Sequence, residues 1–293
     1  MKLITTDLDG TLLNSSHEIS KENIEALKLA QKKGAEIAIA TGRTYADAKA
    51  ICERANICAH IISNNGSLTH SKDGKKLKAD TIDKKYIKEA LNWFNANGYF
   101  YQVGTAKNMF LPSNTKAILE SDFYKAKIKN SSLSKDVLNN MVDLLFSQEG
   151  VMLVDDINDI INADLDYCSI TSISFDEDKL FKGRELFGNH ESLSLVISNE
   201  FNFEMVNMNA SKGNSLEYLA NHLNIPLKDV VAIGDNYNDI SMFKKAGISV
   251  AMGNAKEDIK EICSYVSISN DLNGVAHAIH EFMNNLKVKS SLA

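Results

Sequence analysis

The sequence predicts an α/β fold: a doubly wound, parallel-sheet (Rossmann-like) core with an α+β domain inserted into it. Three observations carry this. Short apolar strands alternate with amphipathic helices over the first 70 residues, and the same grammar returns after about residue 207. The strands between those two blocks alternate apolar and polar residues instead. A chain of 293 residues, 44% hydrophobic and 24% charged, suits one or two folded domains and not a disordered polymer. The boundaries are expected near 83 and 207. The core is then 1–82 with 208–293, and the insert is 83–207.

The elements follow in order. Residues 3–6, Leu-Ile-Thr-Thr, form a β-rich first strand. Ser20 caps a helix whose apolar face holds Ile24 and Leu27, and Gly34 closes it. Residues 35–40 are the second strand, 44–55 a helix, and 60–63 a further strand. In the insert, Ile87, Ala90, Leu91 and Phe94 mark one amphipathic helix, and Val137, Met141, Leu144 and Leu145 a second. Strands are expected over 99–103, 151–155, 168–175, 193–198 and 201–206. The last two are joined by a turn at Asn199-Glu200. Leu216, Leu219, Ala220 and Leu223 then repeat at i, i+3, i+4 and i+7, the spacing of a core-facing helix. A strand at 229–233, a helix through Met242 and Phe243, a strand at 248–251 and a helix at 255–263 follow. The final helix is expected over 274–284, with a frayed Lys/Ser tail.

Composition excludes several classes. The net charge is −6 and no basic stripe is visible, so nucleic acid is not an expected partner. No apolar run approaches the roughly 18 residues of a membrane span. The first residues turn acidic at Asp7, without a signal-peptide core. Cys52, Cys58, Cys168 and Cys263 lack zinc or redox spacing and are expected as reduced, mostly buried thiols in a cytoplasmic protein. The seven histidines show no metal-binding spacing. The aromatic run Trp93, Phe94, Tyr99, Phe100 and Tyr101 is expected in a core rather than a ligand cage. Glu204 faces either a site or solvent. Oligomeric state is not legible.

Three polar clusters share one structural address. Asp7-Leu8-Asp9-Gly10-Thr11 follows the first strand, Thr41-Gly42-Arg43 the second, and Gly234-Asp235-Asn236-Tyr237-Asn238-Asp239 the strand at 229–233. Open α/β sheets bind ligands beyond the carboxyl ends of their strands, so the clusters are expected to converge. Ser63-Asn64-Asn65-Gly66-Ser67 ends a fourth strand. It is either a plain turn or part of the same site. Asp7, Asp9 and Asp235 crowd negative charge, which calls for a cation, and hard oxygen ligands suit Mg²⁺. Thr41 supplies a hydroxyl, Gly42 an unobstructed N–H, Lys212 a compact positive charge and Asn238 an amide donor, as a phosphate requires. One carboxylate of a D-x-D pair can be a nucleophile, and the other suits proton transfer. Arg43 either binds substrate or pairs with an acid where core and insert meet. Asp239 is expected to orient Lys212 or its own loop.

Asp7-Leu8-Asp9-Gly10-Thr11-Leu12, Thr41-Gly42-Arg43, Ser211-Lys212-Gly213 and Gly234-Asp235-x-x-Asn238-Asp239 resemble, in order and spacing, the four motifs of the haloacid dehalogenase (HAD) superfamily of phosphatases. The insert between the second and third motifs resembles the type IIB cap of the Cof-like sugar phosphatases, and Asn65-Gly66 resembles a segment common there. The resemblance implies that Asp7 attacks the phosphoryl group and becomes an aspartyl-phosphate. Asp9 is then the acid and base, with an elevated pKa expected. Mg²⁺ falls to the Asp7 carboxylate, the Asp9 carbonyl and Asp235, helped by Asn236. Thr41, Gly42, Lys212 and Asn238 take the phosphoryl oxygens, and Leu8, Arg43 and Asn65 join the phosphate- or substrate-binding set. A cap implies a small phosphorylated metabolite, such as a sugar phosphate or a cofactor phosphate, as the substrate. Two alternatives stay open: a phosphomutase or phosphotransferase on the same scaffold, and a phospho-accepting module of the receiver type.

Overall fold

The computed structural model describes residues 2–290, with side chains described through 283. Contacts divide the chain into two compact units: Met1–Gly42, Ala48–Ala79 and Ser211–Ala293, and Arg43–Asp47 with Asp80–Ala210.

The first unit begins with β1 (Leu3–Thr6), α1 (Lys21–Lys32), β2 (Glu36–Ala40), α2 (Tyr45–Arg54), β3 (His60–Ser63), β4 (Leu68–His70) and β5 (Lys76–Ala79). The Ser20 hydroxyl accepts from the Asn23 N–H at the start of α1, the cap read from the sequence. The second unit holds α3 (Lys84–Asn97), β6 (Gln102–Gly104), β7 (Met109–Pro112), α4 (Thr115–Lys129), α5 (Lys135–Ser147), β8 (Val151–Val154), α6 (Ile157–Asn162), β9 (Ser169–Ile173), α7 (Glu177–Gly188), β10 (Leu193–Val196) and β11 (Asn202–Asn207). The chain then returns to the first unit through α8 (Lys212–His222), β12 (Val230–Gly234), α9 (Ile240–Phe243), β13 (Ile248–Ala251), α10 (Glu257–Ile262), β14 (Tyr265–Val266) and α11 (Gly274–Ser290).

The first unit is built on an eight-stranded sheet ordered β14-β13-β12-β1-β2-β3-β4-β5. The six strands from β14 to β3 run parallel, as helical crossovers require. Pairing of β3 with β4 and of β4 with β5 is antiparallel, so the sheet is mixed. The reason is local. One tight turn at Asn64–Gly66 reverses the chain, and no crossover helix separates β3 from β4. One face carries Leu3, Ala38, Ile62, Val230 and Ala232 against Leu216 and Leu219 of α8. At the other end of the chain, α11 packs on α1, where Asn23 Oδ1 accepts the Ala276 N–H at 2.9 Å. This helix runs to Ser290, so the frayed tail expected after 284 is helical through that residue. No glycine or proline interrupts it after Gly274. Residues 291–293 lie outside the described residues.

The second unit has its own six-stranded sheet, β10-β11-β9-β6-β7-β8. Phe94, Tyr99, Phe187 and Phe203 stack within one of its cores, and Trp93 packs against it, so the aromatic run is packing. Tyr99–Tyr101 precede β6 rather than belonging to it. Cys52 and Cys168 are buried, Cys263 is partly buried and Cys58 is exposed, all as free thiols. Among the described residues no helix is long and apolar enough to cross a membrane.

Candidate active site

The parallel run β12-β1-β2-β3 brings the carboxyl ends of four strands to one edge of the sheet. Asp7 follows β1, Thr41 follows β2, Asn64 follows β3 and Asp235 follows β12. Lys212 opens α8, where the Ser211 hydroxyl caps the helix by accepting the Asn214 N–H.

The carboxylates meet around one lysine. Lys212 Nζ lies 2.8 Å from Asp7 Oδ1 and 2.7 Å from Asp239 Oδ1, and solvent does not reach its side chain. One carboxylate oxygen from each of Asp7, Asp235 and Asp239 lies within 4.8 Å of the others. Burial pushes the Asp7 carboxyl well above the ordinary range; the Lys212 charge opposes this, while Asp239 and Asp235 add to it. Burial and the Asp239 charge raise Asp235 to about 7, the Thr11 hydrogen bond and Lys212 pull it down, and the Asp9 charge pushes it up. Burial alone would lower Lys212, but Asp239 and Asp7 outweigh it and hold the ammonium protonated. Three carboxylates thus share one cation.

Asp239 is a scaffold for this cluster. Its Oδ2 accepts the backbone N–H groups of Asp235 and Asn236 at 2.9 and 3.0 Å, while Oδ1 takes Lys212. Orienting both Lys212 and the loop is the part the sequence assigns it. Asn236 Oδ1 accepts the Tyr237 N–H at 2.9 Å, so this side chain caps the turn. Leu8 is fully buried, which leaves its backbone alone to face a ligand. Asp9 is half-buried and has an extended backbone. Gly10 takes φ +76°, and a Cβ there would stand 2.5 Å from Asp235 Oδ2, so only glycine lets the β1 turn approach that carboxylate.

The donors gather beside the cluster. Thr41 is buried, and its carbonyl accepts the Asn65 N–H at 3.0 Å. Asn64, Asn65 and Gly66 are all left-handed, at φ 47°, 51° and 100°, a run that Asn and Gly tolerate best. The turn reading of these residues therefore holds. The turn also aims a side chain, since Asn65 Oδ1 accepts from Asn238 Nδ2 at 3.1 Å and its amide packs against Gly42. Asn238 Oδ1 is buried without a hydrogen-bond partner among the described residues. Arg43 pairs with Asp47 across one helical turn, Nη1 to Oδ2 at 2.7 Å. Asp47 is the acid that the sequence left unnamed.

Two contacts escaped the sequence reading. Thr11 Oγ1 donates to Asp235 Oδ1 at 2.6 Å, and Asn254 Nδ2 donates to the Gly10 carbonyl at 2.8 Å. Thr11 stands inside the first motif, so the signal was present, although its target lies 224 residues away. Nothing in the sequence marks Asn254. The donor set suits a hard divalent cation: carboxylates close together, two of them raised by burial and, beyond that, by the charge of their neighbours, which a cation would offset.

A doubly wound core with a second α+β unit inserted in it, and carboxylates gathered at its strand ends, is the architecture of a hydrolase class. The chain belongs to the haloacid dehalogenase-like hydrolases, whose family model matches residues 4–279. It is 40% identical over 285 residues to the phosphatase YwpJ of Bacillus subtilis, covering 97% of this chain and 100% of that one. It is 32% identical over 283 residues to 5-amino-6-(5-phospho-D-ribitylamino)uracil phosphatase YwtE of the same organism, covering 97% and 98%. A solved haloacid dehalogenase-like hydrolase from B. subtilis superimposes with a TM-score of 0.85 at 40% identity, covering 96% of this chain and 99% of that one. The subclass IIB sugar phosphatase BT4131 shares the fold, with a TM-score of 0.75 at 23% identity, over 96% and 99% of the chains. The chain is an enzyme, a phosphatase of this family.

Proposed function

We propose that the chain hydrolyses a small phosphorylated metabolite, a sugar phosphate or cofactor phosphate, through an aspartyl-phosphate on Asp7, with Mg²⁺ as cofactor. The supporting observation is the Lys212 ammonium held between Asp7 and Asp239 beside Asp235. One carboxylate is thereby fixed at the end of β1 with a cation against it, as in-line attack on phosphorus requires. Relatives named phosphatase, one of them acting on a phosphoribityl compound, support the substrate class.

Asp7 attacks phosphorus, and the bond from phosphorus to the substrate oxygen breaks. Asp9 gives its proton to the departing alkoxide. Asp9 then takes a proton from water, whose oxygen attacks the same phosphorus and frees inorganic phosphate and the Asp7 carboxylate. Thr41, Gly42, Lys212 and Asn238 bind the phosphoryl oxygens, and Leu8, Asn65 and Arg43 join the substrate-binding set. Mg²⁺, held by Asp7, Asp9 and Asp235 with Asn236 near, would supply charge neutralisation of the phosphoryl group. The second unit acts as a cap that selects the alcohol part of the substrate.

The test is phosphate release from sugar phosphates, nucleotides, phospho-cofactors and an aryl phosphate, with Mg²⁺, with EDTA, and with Asp7→Asn. Turnover that needs Mg²⁺ and vanishes in Asp7→Asn is expected. Full activity of Asp7→Asn would sink the mechanism, and transfer to a sugar hydroxyl in place of water would move the enzyme to the phosphotransferases.

A further inference from the structure

We propose that Asn65 takes its part in the substrate-binding set as a positioning residue, which acts through the Asn238 amide and not by holding a phosphoryl oxygen itself. This rests on the reading of Asn238 as a residue that binds those oxygens.

All the groups concerned belong to the first compact unit. The Asn64–Gly66 turn meets three of the segments assigned to the phosphate. At the end of β2, the Asn65 N–H donates to the Thr41 carbonyl at 3.0 Å, and the Asn65 amide lies against Gly42. At the start of α8, the Gly66 carbonyl accepts from Ser215 Oγ at 2.7 Å. A Cβ on Gly66 would stand 2.2 Å from the Ser211 carbonyl oxygen, so the turn sits directly on the residue that precedes Lys212. In the loop after β12, Asn65 Oδ1 accepts from Asn238 Nδ2 at 3.1 Å. Reversing the chain explains none of these contacts, since a turn needs only its own backbone bonds, and Ser67 N–H to the Asn64 carbonyl at 3.1 Å is one of them. Asn65 is instead a side chain at 2% exposure aimed at a residue 173 positions away.

Asn238 is placed from two sides. Its backbone lies in the loop that Asp239 fastens by accepting the Asp235 and Asn236 N–H groups. Among the described residues, its side chain has Asn65 as its one hydrogen-bond partner. The last torsion of an asparagine is broad, so an amide without such a bond takes many directions. Nδ2 carries two N–H groups; Asn65 takes one and thereby fixes the direction of the other. A donor aimed before the ligand arrives loses less rotamer freedom on binding. The amide also keeps Oδ1 buried without a partner among the described residues, an arrangement that a purely structural amide avoids. The role uses only bonds that Asn65 already makes, and no contact of its own with the substrate.

The experiment compares the full chain with Asn65→Gly, Asn65→Ser, Asn238→Ala and the Asn65→Gly/Asn238→Ala pair. Glycine adopts the φ of 51° at this position without strain, so Asn65→Gly keeps the turn and its N–H bond to Thr41 while removing the acceptor. Affinity for inorganic phosphate is measured by calorimetry in Mg²⁺, and kcat and KM on an aryl phosphate. Asn65→Gly should weaken phosphate binding about tenfold, the scale of one lost hydrogen bond, and raise KM. The pair should bind phosphate no worse than Asn238→Ala alone, since both changes remove one function. Asn65→Ser keeps an oxygen at the turn but one too short to reach Asn238, so it should weaken binding too, and it decides the matter if Asn65→Gly does not fold. A lowered melting temperature with wild-type phosphate affinity, in either variant at position 65, would make Asn65 merely structural and overturn the proposal. A pair about tenfold weaker than Asn238→Ala would overturn it as well, by making Asn65 a ligand of the phosphate in its own right. Wild-type affinity in Asn238→Ala would remove the reading on which the proposal rests. Failure of the aspartyl-phosphate reading would instead appear as turnover surviving Asp7→Asn, with phosphate binding still reporting on Asn65.

Discussion

Lys212 and Asp239 form a 2.7 Å ion pair in which solvent reaches neither side chain. The same aspartate accepts two backbone N–H groups from the Asp235 loop, so it ties the lysine of α8 to the end of β12. Asp239→Ala should cost about 3 kcal/mol of stability, because it takes one of two carboxylates from a buried ammonium and leaves two part-buried N–H groups without their acceptor. Urea unfolding measures this. A loss below about 1 kcal/mol would mean that the site relaxes or floods, and that the pair is not the scaffold described here.

The Thr11–Asp235 hydrogen bond predicts a metal phenotype without a change of metal ligand. Thr11→Val keeps the volume and removes the donor from a 2.6 Å bond. Groups that orient metal-binding carboxylates typically matter about 10–100-fold in metal affinity. Activity titrated with Mg²⁺ should therefore need at least tenfold more metal in the variant. An unchanged titration would separate Thr11 from the metal.

Carboxylate crowding makes the metal-free enzyme less stable than it need be. In EDTA, Asp235→Asn should raise the melting temperature, since it removes a charge that burial disfavours and the neighbouring Asp239 repels, while the amide oxygen still accepts from Thr11. Mg²⁺ should raise the melting temperature of the wild type and leave the variant nearly unmoved. A variant stabilised by Mg²⁺ as strongly as the wild type would remove Asp235 from the metal site.

Acid sensitivity should trace in part to His70, which ends β4. Burial, with Lys76 across the strand pair adding to it, lowers its imidazole to about 4. The unfolded chain titrates near the ordinary value of 6.5, so between about 6.5 and 4 it binds a proton that the folded chain refuses. Stability from this residue is fully present above that window and is lost as the pH falls through it. His60, lowered chiefly by burial despite its Glu36 partner, acts in the same direction. Unfolding free energies at pH 7 and pH 5 should show a smaller loss for His70→Gln than for the wild type. Equal losses would assign the acid limb to other groups.

Some of the fold was legible because its signal is local. The caps, the apolar strands of the core and the helix at Leu216 to Leu223 repeat patterns that a few neighbouring residues complete. In the second unit, α4 and α7 were missed for a physical reason. Tyr124 and Ile128 on α4, and Phe181 and Leu186 on α7, are large apolar residues left exposed, which blurs the stripe that marks a helix. The antiparallel β4 and β5 were missed because Asn64–Gly66, read as either a plain turn or part of the site, was not followed into the short strands that its reversal forces.

By itself the sequence determined which acids and which hydroxyl stand at strand ends and which lysine opens a helix, because a parallel sheet delivers every such strand end to one edge. Only the tertiary structure decided which groups touch. Asp239 holds Lys212 and not solvent, Thr11 holds Asp235, Asn65 meets Asn238, and Arg43 is anchored by Asp47. Asn65 and Asn238 are 173 residues apart, and no periodicity spans that distance. Strand order and the packing of α8 bring such groups within reach, and burial then makes each hydrogen bond obligatory.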